Sequence, residues 1–207
     1  MSRDAKAAAG VAPALVLASS SPRRAQLLGM LGLRFDVEPA TIDERYRPGE
    51  AAAAHAERLA REKALSVVER RRDAFVIGSD TVVVVDDDVL GKPRDDDDAV
   101  RMLMRLQGRE HRVATGIAVA RSGEVWSGVE EVRVWFRRFD ASFAQAYVET
   151  GEPHDKAGAY GIQGYGAALV ERIAGDFFAV MGLPIGRLLS LLADAGWQYR
   201  FDGVRRS

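Results

Sequence analysis

The 207-residue chain contains no cysteine and only three histidines, His55, His111 and His154. The first absence excludes disulfides and thiolate chemistry. The wide spacing of the histidines argues against a His-rich zinc site. No apolar run approaches the ~20 residues that a membrane-spanning helix needs, so no membrane partner is expected. The formal net charge is -1, too little positive charge to drive non-specific nucleic-acid binding. Residues 1–13 lack a signal-peptide core and read as a flexible extension ahead of a single domain over 14–207. There is no internal repeat and no clear linker. What remains is an ordinary globular mixture, 47% hydrophobic and 29% charged, able to bury a core. A cytoplasmic enzyme fits these features.

Apolar periodicity and turn residues predict alternating strands and helices. Strands are expected at 14–18, 34–38 and 75–85, with a turn at 86–88. A hairpin is expected from 111–120 and 124–137 around Ser122-Gly123, and a further strand at 167–173. Helices are expected at 22–31, 51–72, from the acidic run Asp95–Asp98 to Leu106, at 141–150 and at 184–195. The acidic run suits a helix N-terminus, with a calcium site as the alternative. The pattern implies a mixed α/β fold around one long sheet.

Four stretches depart from what packing alone requires. In LASSSPRRAQLL, a strand hands over to a helix with Ser21 at the N-cap and Pro22 at its first turn. Free N–H groups, the hydroxyls of Ser19 and Ser21, and the charges of Arg23 and Arg24 describe an anion site. Plain capping with two surface arginines is the alternative. The GxxxxGK[ST] phosphate loop is absent. In the second stretch, Lys63 falls inside the apolar stripe Ala56, Leu59, Ala60, Ala64, Val67. It must pair with an anion or reach out to solvent.

The third stretch is FVIGSDTVVVV, where Asp80 sits inside a very apolar strand. A lone carboxylate there must pair, bind metal or have a shifted pKa. Gly78, on the same face, would leave space beside it, and Thr81 would point to the opposite face. The fourth is DKAGAYGIQGYG, whose four glycines suggest close approach of a ligand to backbone, with Tyr160 stacking and Gln163 reading a base edge. A mobile loop is the alternative. Lys92 in GKPR would add a phosphate contact, and Glu44 in TIDER would share a divalent ion with Asp80.

The ordered set LASSSPRRAQLL, TIDE, ERLAREKA, GSDTVVV, LGKPRD, HRVATG, DKAGAYGIQGYGA and FFAVMGLP strongly resembles the Maf family of nucleoside triphosphate pyrophosphatases over about residues 14–196. The resemblance implies a Maf/ITPase-like fold: an elongated mixed β-sheet flanked by helices, with two lobes around a central cleft, often in a homodimer. It implies hydrolysis of a nucleoside triphosphate substrate to monophosphate and diphosphate with a divalent metal cation, magnesium or manganese. Position by position, Asp80 matches the catalytic base. Arg23, Thr81 and Gln163 match positions tied to substrate preference, and Glu44, Lys63 and Lys92 match polar positions lining the cleft.

AGAYGIQG, with Gln163, resembles the branch acting on dTTP and UTP; an amide donates and accepts, which suits a uracil or thymine edge. The alternatives are the 7-methyl-GTP branch and a non-catalytic nucleotide-binding inhibitor of septum formation. The residues by themselves also leave open a phosphatase or kinase. Serine at 79, where the family commonly has alanine, and the Asp95–Asp98 run are departures.

Overall fold

The computed structural model describes residues 14–206; the N-terminal extension expected at 1–13 lies outside them. In chain order the elements are β1 (Leu15–Leu17), α1 (Pro22–Met30), β2 (Asp36–Val37), α2 (Ala52–Val68), β3 (Phe75–Val85), β4 (Asp88–Leu90) and α3 (Asp96–Leu106). Then come β5 (Glu110–Arg121), β6 (Glu124–Phe136), α4 (Ala141–Val148), β7 (Val170–Ala174), α5 (Phe177–Val180), α6 (Ile185–Asp194), β8 (Trp197–Arg200) and β9 (Gly203–Arg206). Three short 3₁₀ turns occupy the glycine-rich stretch between α4 and β7.

The main sheet has the order β2-β1-β3-β5-β6-β7, with β4 added to the far end of β3. β1 runs parallel to β2 and β3, and the remaining pairs are antiparallel. The mixed sheet flanked by helices is therefore as expected. The β5–β6 hairpin turns at Ser122 and Gly123, both with positive φ (52° and 89°), as a two-residue hairpin loop demands. The β3–β4 turn repeats this with Asp86 and Asp87 at φ 51° and 64°. The acidic run opens α3 as a capped first turn: Asp95 accepts from the Asp98 N–H, and Asp98 pairs with Arg94 and Arg101. Those contacts place Asp95 and Asp98 in the capped first turn of α3, as the acidic run predicted.

Strand β3 organises the interior. Its even-numbered residues face α2, where Val76 packs with Ala60 and Ala64 and Val82 and Val84 pack with Ala56. Its odd-numbered residues face two other clusters. Phe75 and Ile77 join α1 and α6; Val83 and Val85 join α3 and α4. The stretch between those clusters, Ser79–Thr81, belongs to neither. Helix α2 lies unusually close to the sheet, because the two strand positions beneath it are glycines. A Cβ on Gly78 would come within 2.2 Å of the Ala60 carbonyl oxygen, and one on Gly116 within 2.1 Å of that of Ala56. Gly78 therefore does not leave room for a ligand beside Asp80; helix backbone fills that room.

Candidate active site

A cavity of about 770 Å³ opens at this unclaimed stretch of β3. Its origin is a gap in the sheet. On one edge, β3 pairs with β1 only through residues 75–77 and with β4 only through 83–85, while β5 runs unbroken along the other edge. Residues 78–82 therefore have a free edge. The Phe75 N–H donates to Ala14 and the Ile77 carbonyl accepts from Ala18, both on the β1 side. Strand alternation then turns the N–H and C=O groups of Ser79 and Thr81 into the gap.

The free edge explains how Asp80 and Thr81, on opposite faces of an unbulged strand, both line one cleft. On the α2 face, Lys63 donates to Asp80 Oδ1 at 2.6 Å and lies 2.8 Å from Glu44 Oε1. Lys63 is only 8% exposed and does not reach bulk solvent. Burial alone would raise the Glu44 pKa. The Lys63 contact, together with the charges of Lys92 and Arg24, outweighs it and holds Glu44 below its usual range.

On the opposite face, Arg24 donates through Nε to the Gly182 carbonyl (2.8 Å), through Nη1 to Ser19 Oγ (3.2 Å) and through Nη2 to Thr81 Oγ1 (3.2 Å). Burial lowers the Arg24 pKa, the charge of Asp80 raises it, and neighbouring Arg23 lowers it again. Among the described residues no carboxylate lies within 4 Å of Arg24 or of Lys92. Arg23 pairs with Asp155 at 2.8 Å, tying α1 to the glycine-rich stretch. Ser19 is buried, and its Oγ accepts from the Ser21 N–H as well as from Arg24, leaving its hydroxyl proton to donate elsewhere. Ser21 occupies the N-cap position, but its side chain makes no capping hydrogen bond; it lines the cleft instead.

One expectation is corrected, and a second residue lies away from the cavity wall. The ring of Tyr160 borders the cavity but is 5% exposed. It packs edge-on against His111 and Phe136, and its hydroxyl lies 2.8 Å from His111 Nε2. A ring fixed among core aromatics offers no free face for stacking. Gln163 is half-buried and lies outside the cavity lining, which Gly161 and Ile162 provide instead. The glycines serve the loop more than a ligand. Glu152 accepts from the N–H groups of Tyr165 and Gly166 and from the Tyr147 hydroxyl. A Cβ at Gly166 would lie 2.1 Å from the Gly161 carbonyl.

The structure also adds cleft residues that the sequence had not singled out: Tyr46, His55, Asp155 and Lys156. Asp155 and Lys156 open the motif already noted for its glycines, so the signal lay there in the adjacent opposite charges. His55 had a helical signal, standing four and eight residues before Leu59 and Lys63 on one helix face.

Cations on both faces of a free strand edge, two carboxylates converging on one lysine, and the outward-turned N–H of Thr81 describe an α/β protein with a cleft suited to an anion. The chain belongs to the Maf family: the model of that family, described as Maf-like protein, matches residues 14–195. Proteins named dTTP/UTP pyrophosphatase are similar to it along almost their whole length. The one from Aquifex aeolicus is 47% identical, covering 87% of this chain and 94% of its own. The one from Symbiobacterium thermophilum is 49% identical, covering 88% and 94%. The one from Vibrio cholerae is 48% identical, covering 83% and 92%. Among solved structures, the Staphylococcus aureus Ham1 protein overlays with a TM-score of 0.45 at 14% identity, covering 76% of this chain and 79% of that one. Among the described residues no helix is long and apolar enough to cross a membrane.

Proposed function

We propose that this chain is a nucleoside triphosphate pyrophosphatase that hydrolyses dTTP and UTP to the monophosphate and pyrophosphate. The substrate class rests on the relatives that bear that name. The observation that carries the chemistry is Arg24: a guanidinium fixed by three hydrogen bonds, without an acidic partner among the described residues, facing the cleft beside Asp80. A desolvated cation in that setting is stabilised by an anion from outside.

The triphosphate lies against the Ser19–Arg24 turn and the outward-turned N–H group of Thr81, which line the cavity. Lys63 and Lys92 neutralise its tail, and Lys156 reaches the same cavity. Val83, Leu90, Val113 and Ile162 give the other end of the cavity an apolar wall for the base, with the Thr81 hydroxyl at its border. Asp80 orients a water toward the α-phosphorus and takes its proton. The new bond joins that oxygen to the α-phosphorus, and the bond that breaks joins it to the oxygen bridging to the β-phosphorus. Pyrophosphate departs with that bridging oxygen. General-base assistance of this kind contributes on the order of 10²–10⁴-fold; the remainder comes from positioning and charge stabilisation.

Glu44 and Asp80 suit a divalent cation. Both carboxylates already meet one positive nitrogen, at 2.8 and 2.6 Å. Two hard oxygen donors plus substrate phosphates is the usual magnesium environment. Among the described residues no set of three or more acidic or histidine side chains gathers into a metal cage, so the phosphates and water would complete the shell. When bound, magnesium or manganese neutralises phosphate charge in the attack and departure. Excess chelator is expected to stop turnover, and either ion to restore it.

Product analysis tests the proposal. With dTTP or UTP and magnesium, equimolar monophosphate and pyrophosphate are expected. Orthophosphate with a nucleoside diphosphate would refute it, and so would tight binding without turnover.

A further inference from the structure

The loop that carries Glu44 has no structure of its own. Between the end of β2 at Val37 and the start of α2 at Ala52 there is no strand or helix, and most of residues 41–50 are exposed. Its internal contacts are few: Asp43 with Arg45, the Glu50 N–H with the Arg47 carbonyl, and the Arg47 N–H with the Glu50 carboxylate. Yet the loop brings Glu44 and Tyr46 to the cleft wall. Something outside it must fix its path, since ordering each backbone residue costs roughly 1–2 kcal/mol.

Arg58, on α2, supplies that anchor. Its Nε and Nη2 hold the two oxygens of Glu50 at 2.6 and 2.8 Å, a two-pronged pairing. Nη2 also donates to the Arg45 carbonyl, next to Glu44, at 3.1 Å. Nη1 reaches Glu62, which in turn pairs with Arg47 of the loop at 2.9 Å. Glu50 Oε2 lies 3.0 Å from His55 Nδ1, and the His55 ring stacks under Tyr46 with 3.5 Å between centroids and 9° between planes. The Arg58 and Glu50 side chains are only 13% and 11% exposed.

We propose that Arg58, with Glu50, is a positioning residue for the cation and phosphate site: it clamps the 43–50 loop onto α2, one helical face from Lys63, and so places the Glu44 carboxylate opposite Asp80. The proposal rests on the reading of Glu44 as a metal-holding residue, but its first consequence does not. Lysine cannot replace arginine here, because an ammonium has no planar fork to hold Glu50 while reaching the Arg45 carbonyl.

Two measurements decide it. Trypsin cleaves after arginine, and the Arg45–Tyr46 bond lies in the clamped segment. Cleavage there is expected to be at least tenfold faster in Arg58→Ala than in the unaltered chain, with Arg58→Lys between them and Glu50→Gln resembling Arg58→Lys. Manganese binding in the absence of nucleotide, read by electron paramagnetic resonance, is expected to weaken about 10–100-fold in Arg58→Ala. Binding of inorganic tripolyphosphate without metal should stay within about twofold.

Unchanged cleavage in both Arg58→Ala and Glu50→Gln would overturn the clamp. Equal loss of manganese and tripolyphosphate binding would reduce Arg58 to a general structural role and also overturn it. Glu44→Gln separates the two readings. If it leaves manganese binding intact, the metal role of Glu44 fails, while cleavage at Arg45 still decides the clamp. Should Arg58→Ala not fold, Glu50→Gln carries both measurements.

Discussion

The side chains to which the proposed function assigns roles are those for which the local rules of burial require a partner. Asp80, 13% exposed at its side chain, is tolerable in an apolar strand only because Lys63 meets it. Asp80→Asn keeps the shape and leaves Lys63 paired with Glu44. The expected result is a folded protein, unchanged in circular dichroism, with kcat reduced by on the order of 10²–10⁴. Arg24→Ala removes three hydrogen bonds and the cation nearest Thr81. Contacts to charged groups are worth roughly 1.5–3 kcal/mol, so steady-state kinetics should show KM for dTTP raised by about 10–100-fold.

Lys63 and Asp80 were legible in the sequence for the same reason: a charge inside an apolar pattern has few explanations. The place of Tyr160 was not. An aromatic beside glycines reads alike whether it faces a ligand or, as here, His111 and Phe136. Arg58 was hidden because an arginine on a helix face looks solvated unless its distant partner, here Glu50 in a loop, is known.

Among the elements, α2 and β3 set the site, and two glycines set their separation. Gly78→Ala or Gly116→Ala would press a methyl group into helix backbone at 2.2 or 2.1 Å, a contact that only movement of α2 relieves. Overpacking costs about 1–3 kcal/mol or more. The expected outcome is a lower melting temperature together with a loss of turnover larger than the loss of folded protein, because Lys63 and Arg58 travel with the helix.

The long elements were readable from periodicity, and the hairpin from Ser122-Gly123. Three were missed: β4, the single-turn α5 and the β8–β9 hairpin. Each is four residues or shorter per segment. Elements so short owe their existence to what they pack on, such as Trp197 edge-on to Phe75, rather than to local preference. The role of Gly78 was misread because a missing side chain leaves the same trace for a helix as for a ligand.

At the scale of the whole molecule, acid sensitivity is expected to come partly from the core between α3 and β6. His111 is buried there, its Nδ1 is without a hydrogen-bond partner among the described residues, and burial, with Arg109 nearby, lowers its pKa from 6.5 to about 3. Its unfolded form takes up a proton near pH 6.5 and its folded form does not. The stabilisation is therefore complete above pH 6.5 and is lost progressively as pH falls toward 3. Melting temperatures should drop across that window, and less steeply in His111→Gln; equal slopes would remove His111 from the explanation.

The arrangement of the sheet, with a gap where β1 ends and β4 has not begun, brings Asp80 and Thr81 from both faces of one strand to one cleft, and the proposed function places water attack there, at the α-phosphorus. Turnover of dTTP in ¹⁸O-labelled water settles that point. One ¹⁸O in the dTMP and none in the pyrophosphate is the expected pattern. Label in the pyrophosphate, or orthophosphate as the labelled product, would contradict attack at the α-phosphorus beside Asp80.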